Sequence, residues 1–286
     1  MVKVRKVSTN WSELPGGLTY YFIGQPKTGK TTASSRWSTK GTEGVLLLDT
    51  DLGSDFVEGA NVITVTSLNI PMRPKKHEGK QITSNGTPQT EMVPNDKRGF
   101  YYRSGKDKGK QMPVYSMAEV YQWLNKDFKK LPYDTIVIDT MDEVNRWVEE
   151  TVCQEMQIDV KGQGSWGSDW GAARRKNVDI IKRFQQMIKR EGGNLILISH
   201  AKQSVMTDDK VQLMPELPRG LAYSLTAKAD VIGYSTASKD DGNYYISFKA
   251  YDERAVGSRL RPLAQETLPF EYQAIKDEIL NYVEES

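Results

Sequence analysis

Residues 24–31 read Gly-Gln-Pro-Lys-Thr-Gly-Lys-Thr, directly after the apolar run LTYYFIG (18–24) and before a segment, Lys30 to about Trp37, that reads as a helix. A glycine-containing turn between a buried strand and a helix meets the requirements of a phosphate-binding loop. Its backbone N–H groups and the helix N-terminus surround phosphate oxygens, and glycine lets the backbone approach closely. In this pattern Lys30 reaches the β- and γ-phosphates and the Thr31 hydroxyl ligates magnesium. Gly24, Gln25, Pro26, Lys27, Thr28, Gly29 and Thr32 complete the expected nucleotide-binding set. The strand–loop–helix context argues against a chance match, so the chain is expected to be a P-loop ATPase that uses ATP and Mg2+. No N/T-K-x-D guanine-reading motif is found, which disfavours GTP.

The rest of the chain supplies the frame such a loop needs. VLLLD (45–49), VITV (62–65), TIVID (135–139) and NLILIS (194–199) read as strands. They alternate with helices at 116–131, about 141–156 and a long segment ending near Arg190. Ser116 with Glu119 fits a capping box. Val178, Ile181, Phe184, Met187 and Ile188 fall on one helical face. ADVIGYS and YYISFKAY make the chain strand-rich from about 230, and FEYQAIKDEILNYV closes it as a helix. The expected fold is α/β: a mainly parallel sheet flanked by helices with a C-terminal antiparallel extension, in one domain over 1–286. The stretch 71–113, rich in Pro, Gly and Lys, has no helical period and reads as a long insertion with a hairpin around GFYYRSGKDKGKQMPVY.

Polar residues that end apolar strands converge on the ligand crevice of a parallel sheet. Asp139 ends TIVID and is the candidate second magnesium ligand, the alternative being a strand-end cap. Asp49 and Asp51 end the VLLLD strand. Asp51 reaches further beyond the sheet edge and is favoured as the group that orients attacking water, against a plain turn aspartate before Gly53. His200 ends NLILIS and is the candidate sensor of the γ-phosphate, although a lone histidine is often structural.

Composition narrows the rest. A single cysteine, Cys153, excludes an internal disulfide, and His77 and His200 lie far apart in sequence, which disfavours a histidine metal site. No apolar run is long enough for a membrane span, and the basic N-terminus lacks an apolar core, so a reducing cytoplasm is expected. The net charge of +2 is unevenly spread: between Arg73 and Met112 ten Lys/Arg face four Asp/Glu, a net +6. Such a segment suits a polyanion or a solvated surface insertion.

Taken together, GQPKTGKT, LLLDTD, IVIDT, LILISH and PRGLAYSLTAKADV, in that order, resemble the RecA-like ATPases, and more closely the short phage recombinases of that superfamily that work with single-strand annealing. The resemblance spans most of 16–265 outside the insertion. It implies a RecA-like P-loop NTPase core with Asp51 at the position of the catalytic acid and His200 at that of the glutamine sensor. YISFKAYDERAVGSR resembles the strand and turn that present cations to a neighbouring subunit's ATP, which makes Lys249 and Arg254 candidates for a trans role. The segments 161–171 and 201–220 occupy the positions of the family's two DNA-binding loops. There Trp166 and Trp170 are candidates to stack on bases, or alternatively to fill the core, and Lys202 and Arg219 to meet phosphates. In the insertion, Phe100, Tyr101 and Tyr102 lie between Arg98 and Arg103, followed by Lys106, Lys108 and Lys110, the mixture of stacking and charge that single-strand binders use. Aspartate for glutamate, histidine for glutamine, the extra insertion and the lack of a distinct N-terminal oligomerisation domain depart from the family pattern. The expectation is a DNA recombination or repair ATPase that binds single-stranded DNA and assembles as a homo-oligomeric ring or filament, with a single-strand-binding or annealing protein as a further partner. A DNA motor, a small-molecule kinase and an ATP-regulated binding module remain as alternatives.

Overall fold

The computed structural model describes residues 11, 13–70, 100–103, 105–205, 211–250 and 254–282, together with the backbone of four short strands between 72 and 94. Strands β1 (Thr19–Gly24), β2 (Val45–Asp49) and β3 (Asn61–Ser67) come first. The short strands β4 (Met72–Pro74), β5 (Thr83–Ser84), β6 (Thr87–Pro88) and β7 (Met92–Pro94) follow, then β8 (Tyr115–Ser116), β9 (Thr135–Asp139), β10 (Asn194–Val205) and β11 (Val211–Pro215). The chain ends with β12 (Val231–Ala237), β13 (Tyr244–Ser247), β14 (Gly257–Ser258) and β15 (Thr267–Pro269). The helices are α1 (Lys30–Ser34), α2 (Met117–Asp127), α3 (Met141–Met156), α4 (Ser168–Arg190), α5 (Arg219–Thr226) and α6 (Tyr272–Leu280).

The main sheet runs β15-β13-β12-β1-β10-β9-β2-β3-β8, with β11 on β10 and β14 on β12. Its centre, from β12 to β3, is parallel. Parallel strands covered on both faces are apolar at every position, and β1, β2 and β9 are buried throughout. Side-chain parity then divides the core. Tyr21, Ile23, Leu46, Leu48, Ile136, Ile138, Leu195 and Leu197 pack beneath α2–α5. Tyr20, Phe22, Val45, Leu47, Val137, Ile196 and Ile198 face Trp37 and the Ile275 and Ile279 side of α6. Such a sheet, flanked by helices and extended by antiparallel C-terminal strands, is the expected α/β P-loop NTPase fold.

Four boundaries differ from expectation. Helix α1 stops at Ser34, where Arg36 and Trp37 donate to the Ala33 and Ser34 carbonyls in tight turns that carry the Trp37 indole into the core. α2 has the expected capping box, with Glu119 N–H donating to Ser116 Oγ at 3.2 Å, but ends at Asp127 before a 3₁₀ turn. The strand ADVIGYS becomes β12, which is parallel to β1, so the antiparallel extension begins only at β13. The expected polar loop 201–220 is partly a ribbon: β10 continues past His200 and pairs with β11, Lys202 opposite Met214 and Gln203 opposite Leu213. The ladder absorbs backbone groups that a loop would leave to water. The expected hairpin in the insertion is present, with Tyr101 bridging Gln111 and Met112 N–H bonding the Phe100 carbonyl at 2.8 Å. Arg98 lies outside the described residues, as does most of 71–99.

Candidate nucleotide site

The strand order places β10 between β1 and β9, so three strand ends open side by side. Gly24 of β1 is in register with His200 of β10, and Ile198 with Asp139 of β9. Asp49 of β2 is the register partner of Asp139. Elements 115 to 176 positions from the loop in sequence thereby deliver Asp139 and His200 to its rim.

The loop is held from below. Lys30 is buried, and its ammonium donates to the Gly24 carbonyl at 3.1 Å and the Gln25 carbonyl at 2.7 Å. Burial lowers its pKa, against the opposing pull of Asp139, Asp142 and Asp51. Thr28 Oγ1 lies 2.6 Å from Ser235 Oγ of β12 and donates to the Gln25 carbonyl. A Cβ on Gly24 would lie 2.2 Å from Ser235 Oγ, so glycine is required there for close approach. Gly29 has φ +78°, and a Cβ on it would lie 2.5 Å from the Tyr244 ring.

Thr31 Oγ1 donates to Asp139 Oδ2 at 2.5 Å. Hydroxyl and carboxylate are thus adjacent, the pair expected to share a magnesium ion. Asp139 is buried and its carboxyl is pushed up to about 7, chiefly by desolvation and then by Asp51 and Asp49, while Thr31 and Lys30 act in the opposite sense. A buried carboxyl under that strain fits a cation. Among the described residues no group of three His, Cys, Asp or Glu side chains is arranged around a metal. That is compatible with magnesium, which usually takes one or two protein ligands plus phosphate oxygens and water.

Asp49 and Asp51 separate clearly. Asp49 is buried and accepts from Gly53 N–H at 3.2 Å, Ser54 N–H at 3.1 Å and the Ser54 hydroxyl. Asp51 is exposed and, among the described residues, accepts from Gly53 N–H at 3.0 Å. Its carboxyl is raised by partial desolvation and then by the Asp49 charge. Thr50 ties the two strand ends together, its N–H bonding the Asp139 carbonyl at 2.7 Å and its hydroxyl the Thr140 carbonyl at 2.9 Å. His200 meets Asp142, in the first turn of α3, at 3.0 Å, which raises the pKa of its ring.

Sequence reasoning missed Ser235, Thr50, Tyr244 and Asp142. Asp142 had a signal, an acidic residue in a helix first turn just after Asp139. Ser235 had none at a separation of 207 positions.

The other candidates are dispersed. Trp166, at φ +55°, is fully exposed, and Trp170 is about half exposed with the Lys161 ammonium 3.8 Å from its ring centroid. Neither fills the core. Trp170, Gly167 and Arg174 line a cavity of about 310 Å³ with Pro218, Gly220 and Leu221, so the segments 161–171 and 201–220 do meet. Arg219 opens α5 with its guanidinium 5.8 Å from the Tyr223 ring. Lys202 is half-buried on the β10–β11 ribbon. Arg254 lies over Tyr234 of the same chain, 4.7 Å from the ring centroid, and Lys249 follows β13, half-buried. In the hairpin Lys106, Lys108 and Lys110 are exposed, Lys110 paired to Asp107 at 2.8 Å. Tyr101 is exposed and Tyr102 half-buried. Arg103 is anchored, donating to Asp55 at 2.5 Å and to the Leu52 carbonyl.

Loop, lysine, hydroxyl and strand-end carboxylate in this sheet order define a P-loop nucleotide-binding ATPase domain of α/β fold. The family described as AAA domain matches residues 17–260, from the start of β1 through β14, and the chain belongs to that family. No curated protein matches it. Among the described residues no helix is long and apolar enough to cross a membrane.

Proposed function

We propose that this protein hydrolyses Mg-ATP in a cycle coupled to single-stranded DNA in recombination or repair. The observation that carries the ATP half is the 2.5 Å contact of Thr31 with the buried Asp139 beside Lys30. When bound, magnesium neutralises phosphate charge there, held by Thr31 and Asp139. Lys30 leaves the loop carbonyls for the β/γ-phosphates. Asp51, the more exposed of the two carboxylates that leave β2, orients the attacking water, and His200 meets the γ-phosphate. Lys249 and Arg254 act on the ATP of a neighbouring copy in a ring or filament.

The DNA half is supported by the exposed Trp166, the Trp170–Arg174 cavity shared with the start of α5, and the lysine-bearing hairpin. A single-strand-binding or annealing protein is a compatible further partner. Magnesium-dependent ATP turnover measured with and without single-stranded DNA tests the reading. Turnover that rises with DNA and vanishes in Lys30→Ala supports it. ATP consumption only with a small phosphoryl acceptor would move the protein to the kinases, and net translocation along DNA to the motors.

A further inference from the structure

His200 ends the parallel part of β10 beside Gly24, the first residue of the phosphate loop. Asp142 approaches it from α3. A single oxygen, Oδ2, accepts both the His200 backbone N–H at 2.9 Å and ring Nδ1 at 3.0 Å. The other oxygen, Oδ1, is buried and has no hydrogen-bond partner among the described residues. An ionised carboxylate only accepts, so Nδ1 carries the hydrogen of this bond. One side chain thus sets the backbone position, ring orientation and proton placement of His200. With Nδ1–H committed, a neutral ring would offer a lone pair at Nε2, which repels phosphate oxygens. Only the imidazolium offers Nε2–H as a donor.

We propose that Asp142 is a positioning residue that holds His200 as an imidazolium, with Nδ1–H on the carboxylate and Nε2–H reserved for the terminal phosphate of the nucleotide. The inference rests on the ATP-hydrolysing reading of the site. Among the described residues, three charged groups act on the ring: Asp142 from α3, Lys30 from α1 and Asp51 from the turn after β2. The Asp142 bond favours the cation most, Asp51 adds to it, and burial and Lys30 oppose. Among the described residues Oδ1 meets no donor, and both hydrogen bonds that the Asp142 carboxylate accepts there come from His200. Loss of the terminal phosphate on hydrolysis would remove the acceptor from Nε2–H and leave the imidazolium among Asp142, Lys30 and Asp51, so occupancy of the site is read at the start of the β10–β11 ribbon.

The chain has two histidines, so His77→Gln leaves His200 as the sole ring to observe. Long-range ¹H–¹⁵N spectra of the full chain, ¹⁵N-labelled at histidine and free of nucleotide, report charge and tautomer directly. The expected result is an imidazolium that persists above about pH 6.5, the ordinary histidine value. It should deprotonate to the Nδ1–H tautomer, with a lower midpoint in Asp142→Asn. A ring that is neutral and Nε2–H at pH 6 overturns the proposal, and the wild-type spectrum decides this even where Asp142→Asn fails to fold. The second measurement is the preference for a non-hydrolysable ATP analogue over ADP. Asp142→Asn and His200→Gln should each reduce it by about 10-fold to 100-fold, the range of a hydrogen bond to a charged group. An unchanged preference in both, with the pairing seen spectroscopically, overturns the phosphate contact. No ATP binding by the wild type would instead sink the ATPase reading, while the spectrum still decides the Asp142–His200 pair.

Discussion

Asp49 and Asp51 leave β2 two residues apart, yet they do different work. Asp49 satisfies three donors of the turn that follows, whereas Asp51 meets one and faces solvent. Removing a buried acceptor leaves its donors unpaired, at about 1–3 kcal/mol. Asp49→Asn should therefore lower Tm, while Asp51→Asn should keep Tm and ATP affinity but lower kcat, because a water-orienting group acts in the transition state. Paired melting and turnover curves check this; a kcat loss confined to Asp49→Asn would move the base to that residue. Asp139 gives a pH signature. Its folded carboxyl titrates near 7, above the roughly 3.9 of an unfolded aspartate. The folded state then binds the proton more tightly, so this residue's contribution to stability falls as pH rises from about 4 to about 7 and stays lost above. Asp139→Asn should raise the Tm of the nucleotide-free protein at pH 8 more than at pH 5, while impairing magnesium-dependent turnover. An equal Tm change at both values would refute desolvation as the cause.

At the scale of elements, the phosphate loop depends on β12 as much as on its own sequence. Ser235 anchors Thr28, and both its hydroxyl and its carbonyl crowd the space where a side chain at Gly24 would sit, at 2.2 and 2.7 Å. Gly24→Ala should abolish ATP binding and lower Tm, and adding Ser235→Ala should not restore binding, because the carbonyl remains. Recovery in the double variant, read by nucleotide titration, would show that the hydroxyl alone sets the constraint. The loop itself was legible because strand, glycines, lysine and hydroxyl are contiguous. The sheet was legible because buried parallel strands carry an unbroken apolar run. The strand-end positions of Asp139 and His200 were legible, because a single polar residue there breaks such a run. What was not legible depends on register. The Ser235–Thr28 bond, the Asp142–His200 pair and the Arg103–Asp55 clamp join residues whose separations nothing local encodes. The β10–β11 ribbon was missed because its residues are polar enough to resemble a loop, while the ladder that satisfies them needs both strands at once.

At the scale of the whole molecule, the site combines lysine, carboxylates and histidine, and its candidate finger, Arg254, rests on Tyr234 of its own chain. A cation–π contact at a partly exposed site is worth only about 0.5–1 kcal/mol, so it does not hold the guanidinium against a phosphate on a neighbouring copy. Arg254→Ala should cut turnover strongly, since such fingers contribute about 10³–10⁵ in rate. Mixing it with Lys30→Ala protein should restore part of the activity at hybrid interfaces. No recovery despite demonstrated subunit exchange would assign Arg254 to its own chain. DNA engagement is the other half of the proposed function, and two separate surfaces bear on it. The hairpin offers the exposed Lys106 and Lys108, which make no ion pair among the described residues, whereas Lys110 is paired to Asp107; Tyr101 is exposed on the same hairpin. The loop before α4 offers Trp166, fully exposed on a left-handed backbone turn. Charge and stacking leave different signatures in salt. Removing one lysine–phosphate pairing should flatten the salt slope by about 0.7 for a single strand. Removing a stacking ring should weaken binding by about 1–3 kcal/mol per base and release few counterions. Changing Lys106, Lys108 and Lys110 together to Ala should therefore weaken binding and flatten its salt dependence, whereas Trp166→Ala should weaken binding at nearly constant slope. Fluorescence anisotropy of a labelled single strand, across a salt series with a non-hydrolysable ATP analogue, separates the two. If both variants lower the slope equally, Trp166 acts by shaping a charged surface; if wild type fails to bind at low salt, the DNA half of the proposed function falls.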